Sequence, residues 1–157
     1  MYDIIIQRTV AGKSLPTAAK LKRWVTAALK NKMESAELTI RIVDKAEITE
    51  LNSTYRKKNK PTNVLSFPFD MPEECDEIHI LGDIIICADV VHEEALEQDK
   101  TLEAHFAHMV VHGTLHLLGY DHEKDSDAEI MEAEEIKILN NLGINNPYQV
   151  VKNNEVR

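Results

Sequence analysis

Cysteine is scarce in this chain: Cys75 and Cys87 are the only two in 157 residues, and they do not stand at CxxC spacing. That excludes a disulfide-stapled secreted scaffold, and both are expected as reduced thiols of a cytoplasmic protein. Long apolar runs are missing as well. No stretch approaches the roughly 20 residues of a membrane span. Met1 to Val10, with Asp3 and only a short isoleucine run, does not read as a secretory leader. No internal repeat or low-complexity linker divides the chain, so one domain is expected over residues 1–146, followed by a polar tail over residues 147–157. Positive charge is in deficit, with 18 Lys and Arg against 27 Asp and Glu and a net charge of −9. On average this argues against a polyanionic partner. The average does not decide the matter, because phosphate affinity follows the local field of a patch.

Histidine, by contrast, is present at a telling spacing. His112 to His122 reads His-Gly-Thr-Leu-His-Leu-Leu-Gly-Tyr-Asp-His. If the preceding residues are helical, His112 and His116 point from one face. Gly119 falls where a helix commonly ends in a left-handed residue, so the chain can turn back and bring His122 to the same point. Three imidazoles with a fourth position open are the ligand set of a catalytic rather than a structural zinc. A single histidine in an apolar helix is usually a packed core residue; three at this spacing are not readily explained that way.

The remaining chain reads as three or four strands and five helices without a regular βαβ repeat, hence an α+β domain of two layers. Tyr2 to Gln7 is a first strand, and Pro16 opens a helix with Ala18, Leu21, Val25, Ala28 and Leu29 on one stripe. Leu38, Ile40 and Ile42 alternate as in a half-buried strand. Asp44 and Glu47 suggest a capping box for a helix carrying Ile48, Leu51 and Tyr55. That helix runs into Arg56, Lys57, Lys58, Asn59 and Lys60 before Pro61 stops it. These cations have two readings, a solvated helix end suited to the dipole or a phosphate-binding patch. Thr62 to Pro68 is a short strand, and an acidic loop with Pro72, Glu73, Glu74, Asp76 and Glu77 follows. Ile78 to Ala88 is a strand buried on both faces. Asp83 within it must be paired, hydrogen-bonded or at a cleft. Asp89 caps a short helix, and Thr101 starts a buried central helix through Leu118 that carries His105, His108, His112 and His116 along one side. His108 is expected behind the ligands or in the core. Ser126 and Glu129 suggest a capping box for a last helix in which Ala128, Met131, Ile138, Leu139 and Leu142 face inward and Gly143 follows.

The spacing HxxxHxxGxxH is also that of metzincin peptidases, in which a Glu after the first His acts as general base. This chain has Gly113 there, so a peptidase would need a base from elsewhere, with Glu123, Asp121 and Asp83 as candidates. A phosphodiester asks for different help: a metal and an arginine fork on the phosphate oxygens. Internal RNA cleavage also brings its own nucleophile, the 2′-hydroxyl.

The His112–His122 stretch, Asn52-x-x-Tyr55-Arg56, the segment KPTNVLSFPF from Lys60 to Phe69 and LGDIII from Leu81 to Ile86 together resemble the bacterial YbeY family of endoribonucleases and rRNA-maturation factors. The resemblance implies a zincin-like single-domain α+β fold, in which a small mixed sheet packs with about five helices around a buried His-bearing helix. It implies a zinc-dependent, single-strand-specific endoribonuclease of 16S rRNA 3′-end maturation and ribosome quality control. By motif, one Zn2+ would be held by His112, His116 and His122 plus water or substrate. Arg56 would act catalytically with His112 and His116, Asp83 would support the cleft, and Lys57, Lys58 and Lys60 would hold RNA. Single-stranded RNA, rRNA and the ribosome or its small subunit are the implied partners, without a membrane. The alternatives are a non-catalytic ribosome-associated zinc factor and, less favoured, a zinc metallopeptidase.

Overall fold

The computed structural model of the protein describes residues 1–12, 14–69 and 79–148. Cys75, the acidic loop with Pro72, Glu73, Glu74, Asp76 and Glu77, the expected strand start at Ile78, and the tail from 149 onward lie outside the described residues. In chain order the elements are β1 (Tyr2–Arg8), α1 (Ala18–Leu29), β2 (Ala36–Val43), α2 (Lys45–Arg56), β3 (Val64–Pro68), β4 (Ile80–Cys87), α3 (Ala88–Glu97), α4 (Leu102–Leu117) and α5 (Asp125–Asn141). The sheet order is β1-β2-β4-β3, with β3 antiparallel to β4 and the other pairings parallel. None of the described helices is long and apolar enough to cross a membrane.

The strand patterns follow from where each strand lies. In β2, Ala36, Leu38, Ile40 and Ile42 are buried and alternate with half-buried Glu37, Thr39 and Arg41, the period of a pleated strand. Interior β4 is buried from Ile84 to Cys87 without alternation, because both of its faces are covered there. One face, with Leu38, Ile40, Ile42, Ile84 and Ile86, packs in the main core with Leu21 and Leu29 of α1, Phe106 and Leu115 of α4, and Leu139 of α5. The opposite face is covered by α2, where Ile48 clusters with Val43, Leu65, Ile85 and Cys87. The two-layer expectation therefore gains a partial third layer. Helix α4 is buried without a break from His105 to Val111, as a helix that is apolar nearly all round must be.

Several helix starts differ from the sequence reading. Pro16 lies just before the N-cap of α1, and the side chain of Thr17 accepts the Lys20 N–H instead. Helix α3 is entered directly from β4 with Cys87 at the N-cap, so Asp89 sits in the first turn rather than capping it. Lys124 is the N-cap of α5, and Ser126 is already helical between Asp125 and Asp127, whose charges suit the positive end of the dipole. Asp44 does cap α2 by accepting the Glu47 N–H, but the Glu47 carboxylate turns to Arg41 at 2.7 Å instead of closing a box.

Glycine decides how closely α4 meets the sheet. A β-carbon at Gly113 would stand 2.7 Å from Ile84 Cγ2 and 3.3 Å from Ser66 Oγ. Gly82 of β4, at φ +140°, is tighter still: a β-carbon there would meet the Phe67 carbonyl oxygen at 2.1 Å and Leu117 of α4 at 3.0 Å. In Gly113→Ala, relief of glycine's helix penalty of about 1 kcal/mol is outweighed by overpacking of about 1–3 kcal/mol. The expected net loss is about 0–2 kcal/mol by the same principles, read as a lower urea midpoint at unchanged m. A raised midpoint would show that α4 can lift off β4 at little cost.

Candidate metal centre

His112 and His116 occupy successive turns of α4, and the helix ends at Leu117. Gly119, at φ +103°, then reverses the chain, with its N–H bonded to the His116 carbonyl at 3.0 Å and Tyr120 N–H to the Leu115 carbonyl at 3.0 Å. Asp121 Oδ1 accepts the backbone N–H of His122 at 2.7 Å and that of Glu123 at 3.3 Å, an Asx turn that holds the third imidazole in place. The ligand nitrogens of His112, His116 and His122 all lie within 4.8 Å of one another. Their ring centroids are 4.7, 4.8 and 5.4 Å apart. Three nitrogens at ~2.1 Å from a tetrahedral zinc would stand about 3.4 Å apart, so small ring rotations bring this set onto an ion. Burial, and then the neighbouring His112 and His122, hold the His116 pKa down at about 4. Its ring is therefore neutral at pH 7, as a ligand must be.

A carboxylate that the sequence reading missed stands behind this set. Glu135 of α5 is fully buried, and its Oε2 accepts the Nδ1–H of His112 at 2.6 Å. Its Oε1 accepts from His108 Nε2 at 2.9 Å and from the hydroxyl of Tyr148. Burial alone would raise its pKa, but the hydrogen bonds from His108 and His112 prevail and hold it at about 2. An ionised acceptor on Nδ1 fixes the tautomer of His112 and leaves the Nε2 lone pair for a ligand role. His108 thus sits behind the ligands, as expected. The signal for Glu135 was present: it falls in phase with Met131, Ile138 and Leu139 on the buried stripe of α5.

The three imidazoles open onto a cleft of about 650 Å3. Arg56, Lys58 and Lys60 line it together with Asn52, Ser66, Asp121 and Glu123. Among the described residues no fourth His, Cys or carboxylate joins the three rings. One Arg56 Nη donates to the Ser66 carbonyl at 3.2 Å, which places the guanidinium at the free edge of β3. Buried Asn52 donates to the Lys60 carbonyl at 2.9 Å and so ties the basic loop to α2. Lys57 is brought to the same loop but not to the cleft lining; it ends α2 in a left-handed conformation, φ 60°. Asp83 does not reach the cleft either. It is exposed, and strand alternation puts it on the face of Ile85, away from α4. Its carboxylate is neither buried nor paired among the described residues, because α2 covers that face only as far as Ile85 and Cys87.

Acid should loosen this centre in the metal-free protein. Glu135 has a folded pKa below its ordinary 4.5, so its contribution is present above about pH 4.5 and lost as pH falls toward about 2. His116, depressed from 6.5 to about 4, is held neutral in the fold, so the folded state also loses stability as pH falls through that window. The melting temperature with chelator present is therefore expected to drop steadily from pH 6.5 to 4. A melting temperature flat across that range would contradict the burial of His116.

The arrangement has relatives. The model of the family described as Endoribonuclease YbeY matches residues 7–143. The Thermotoga maritima protein TM1509, known from a solution structure, is 29% identical, with 91% of this chain and 92% of that chain covered and a TM-score of 0.59. With a family match that spans α1 to α5 whole, and so takes in both the histidine-bearing helix and Arg56, the chain belongs to the YbeY endoribonuclease family.

Proposed function

We propose that the protein is a zinc-dependent, single-strand-specific endoribonuclease of 16S rRNA 3′-end maturation and ribosome quality control, acting in the cytoplasm on rRNA of the small ribosomal subunit. The observation that carries this reading is the sharing of one cleft by three histidines, Arg56, Lys58 and Lys60. His112, His116 and His122 suit zinc: imidazole donors, one held neutral by burial, one oriented by Glu135, and a side left open to the cleft. Zinc bound there supplies a Lewis acid and lowers the pKa of a coordinated water to about 7.

The chain's own residues do the rest. Arg56, tied by one nitrogen to Ser66, presents its remaining donors to the phosphate and stabilises the charge that builds on the phosphoryl oxygens. Lys58 and Lys60 hold the RNA backbone, and Lys57 adds to the field from outside the cleft. Asp121 is occupied by the turn that holds His122, so Glu123 is the freer carboxylate of the cleft. It accepts the proton of the attacking 2′-hydroxyl as that oxygen bonds to phosphorus, and the P–O5′ bond breaks with the leaving 5′-oxygen taking a proton from water. A concave site of this kind receives an unstacked strand better than a duplex.

Two features disfavour a peptidase. The place of the usual base is crowded at Gly113, where a β-carbon would stand 2.7 Å from Ile84 Cγ2 and a longer side chain would crowd the sheet further. The β3 edge beside the histidines is also poorly equipped to pair with an extended peptide. Val64 N–H is taken by Asn63 Oδ1 at 2.7 Å, the Ser66 carbonyl by Arg56, and Pro68 has no N–H. A purely structural zinc is disfavoured by the open side of the ligand set.

Cleavage of a single-stranded RNA by zinc-loaded protein is expected to fall about 10²-fold or more in His116→Ala and in Arg56→Glu. The two variants, purified identically, also report any contaminating nuclease. Activity retained in either variant removes that residue from the mechanism. RNA affinity should fall steeply as salt rises, and a flat response would remove the lysines.

A further inference from the structure

The last described residues do not hang free. Pro147 and Tyr148, assigned from sequence to the polar tail, return to α4 and α5, where Tyr148 meets His108 and Glu135. Lys100 Nζ donates to the Pro147 carbonyl at 2.9 Å, and the Tyr148 N–H donates to Asn146 Oδ1 at 2.8 Å. The Tyr148 ring packs edge-on against His108, with centroids 5.3 Å apart. Its hydroxyl donates to Glu135 Oε1, the carboxylate whose other oxygen holds His112. The residue is 40% exposed, so apolar burial is a weak reason for a tyrosine here. The part that is enclosed is the hydroxyl. Burial and then Glu135 raise its pKa, so it stays protonated and remains a donor.

We infer that Tyr148 is a positioning residue of the metal site, closing a relay in which its hydroxyl and His108 fix Glu135 and Glu135 fixes the ring of His112. The inference rests on the zinc reading above. It concerns a residue beyond the 7–143 segment matched to the family, so the family match does not carry it. With three donors sharing its two oxygens, the Glu135 carboxylate has one favoured rotation, and the lone pair of His112 is aimed by it. Remove one donor and the carboxylate can turn toward His108, leaving His112 free to rotate away from the position that a metal needs. The cost would appear in metal affinity before it appears in folding.

The test uses the full-length protein and zinc itself, with affinity read by competition against a chromophoric chelator and ligand geometry read from the visible spectrum of the cobalt-substituted protein. Tyr148→Phe keeps the ring on His108 and deletes only the hydroxyl. It should weaken zinc binding about tenfold and alter the cobalt spectrum. Lys100→Met, which releases the Pro147 carbonyl and leaves every donor to Glu135 in place, should shift affinity in the same direction by a smaller factor. Wild-type affinity and an unchanged cobalt spectrum in Tyr148→Phe would overturn the relay while leaving the zinc reading intact. Failure of the wild-type protein to bind zinc at all would overturn both.

Discussion

Helix α4 touches the sheet at Gly113, where a β-carbon would stand 2.7 Å from Ile84, and the placement of the chemistry follows from that contact. With no side chain to hold the two apart, the helix lies low on β4. His112 and His116, on either side of Gly113, then open onto the cleft that Val64, Ser66 and Pro68 of edge strand β3 also line. The same contact has a chemical consequence. A carboxylate one residue after the first histidine is disfavoured by this packing, and the cleft takes its charged groups from other elements. Those groups come from α2, whose C-terminal Arg56 reaches the free carbonyl of Ser66, and from the loop after Gly119.

Charge is arranged against the average of the chain. A net charge of −9 would repel a polyanion, yet Arg56, Lys58 and Lys60 gather on one side of the cleft. Asn52 does part of this by holding the basic loop against α2 through the Lys60 carbonyl. Behind the histidines the opposite problem arises, because Glu135 is an ionised carboxylate with no exposure to water. Such burial is costly unless the lone pairs are satisfied, and here hydrogen bonds from His108, His112 and Tyr148 satisfy them. The network therefore both offsets the burial of charge and fixes the orientation of a ligand.

What could be read from the sequence, and what could not, divides by distance along the chain. The histidine clamp depends on helical period and one left-handed glycine, both local, and it could be read directly. The buried strand Ile84–Cys87 and the central helix were likewise evident from continuous apolar patterns. Helix starts were less so, because Ser126 and Asp89 have the chemistry of caps but lie inside helices whose first turns suit acids equally well. Asp83 looked enclosed within an apolar run, but the cover that α2 gives the reverse face stops short of it. Glu135 pairs with His112 across 23 positions, and nothing local marks which buried polar residue will meet which histidine.

The histidine spacing alone is shared with peptidases, so it specifies a cation and not a reaction. Substrate class is decided by the other walls of the cleft. A β3 edge that offered alternating free donors and acceptors would suit an extended peptide; this one spends its Val64 donor on Asn63, its Ser66 acceptor on Arg56 and has none at Pro68. The hydrogen bond that uses up the Ser66 carbonyl also fixes Arg56 at the cleft, where the proposed reading has it meet a phosphate. The three histidines are indifferent to that choice, so the distinction between substrate classes rests with Arg56, Ser66 and Gly113.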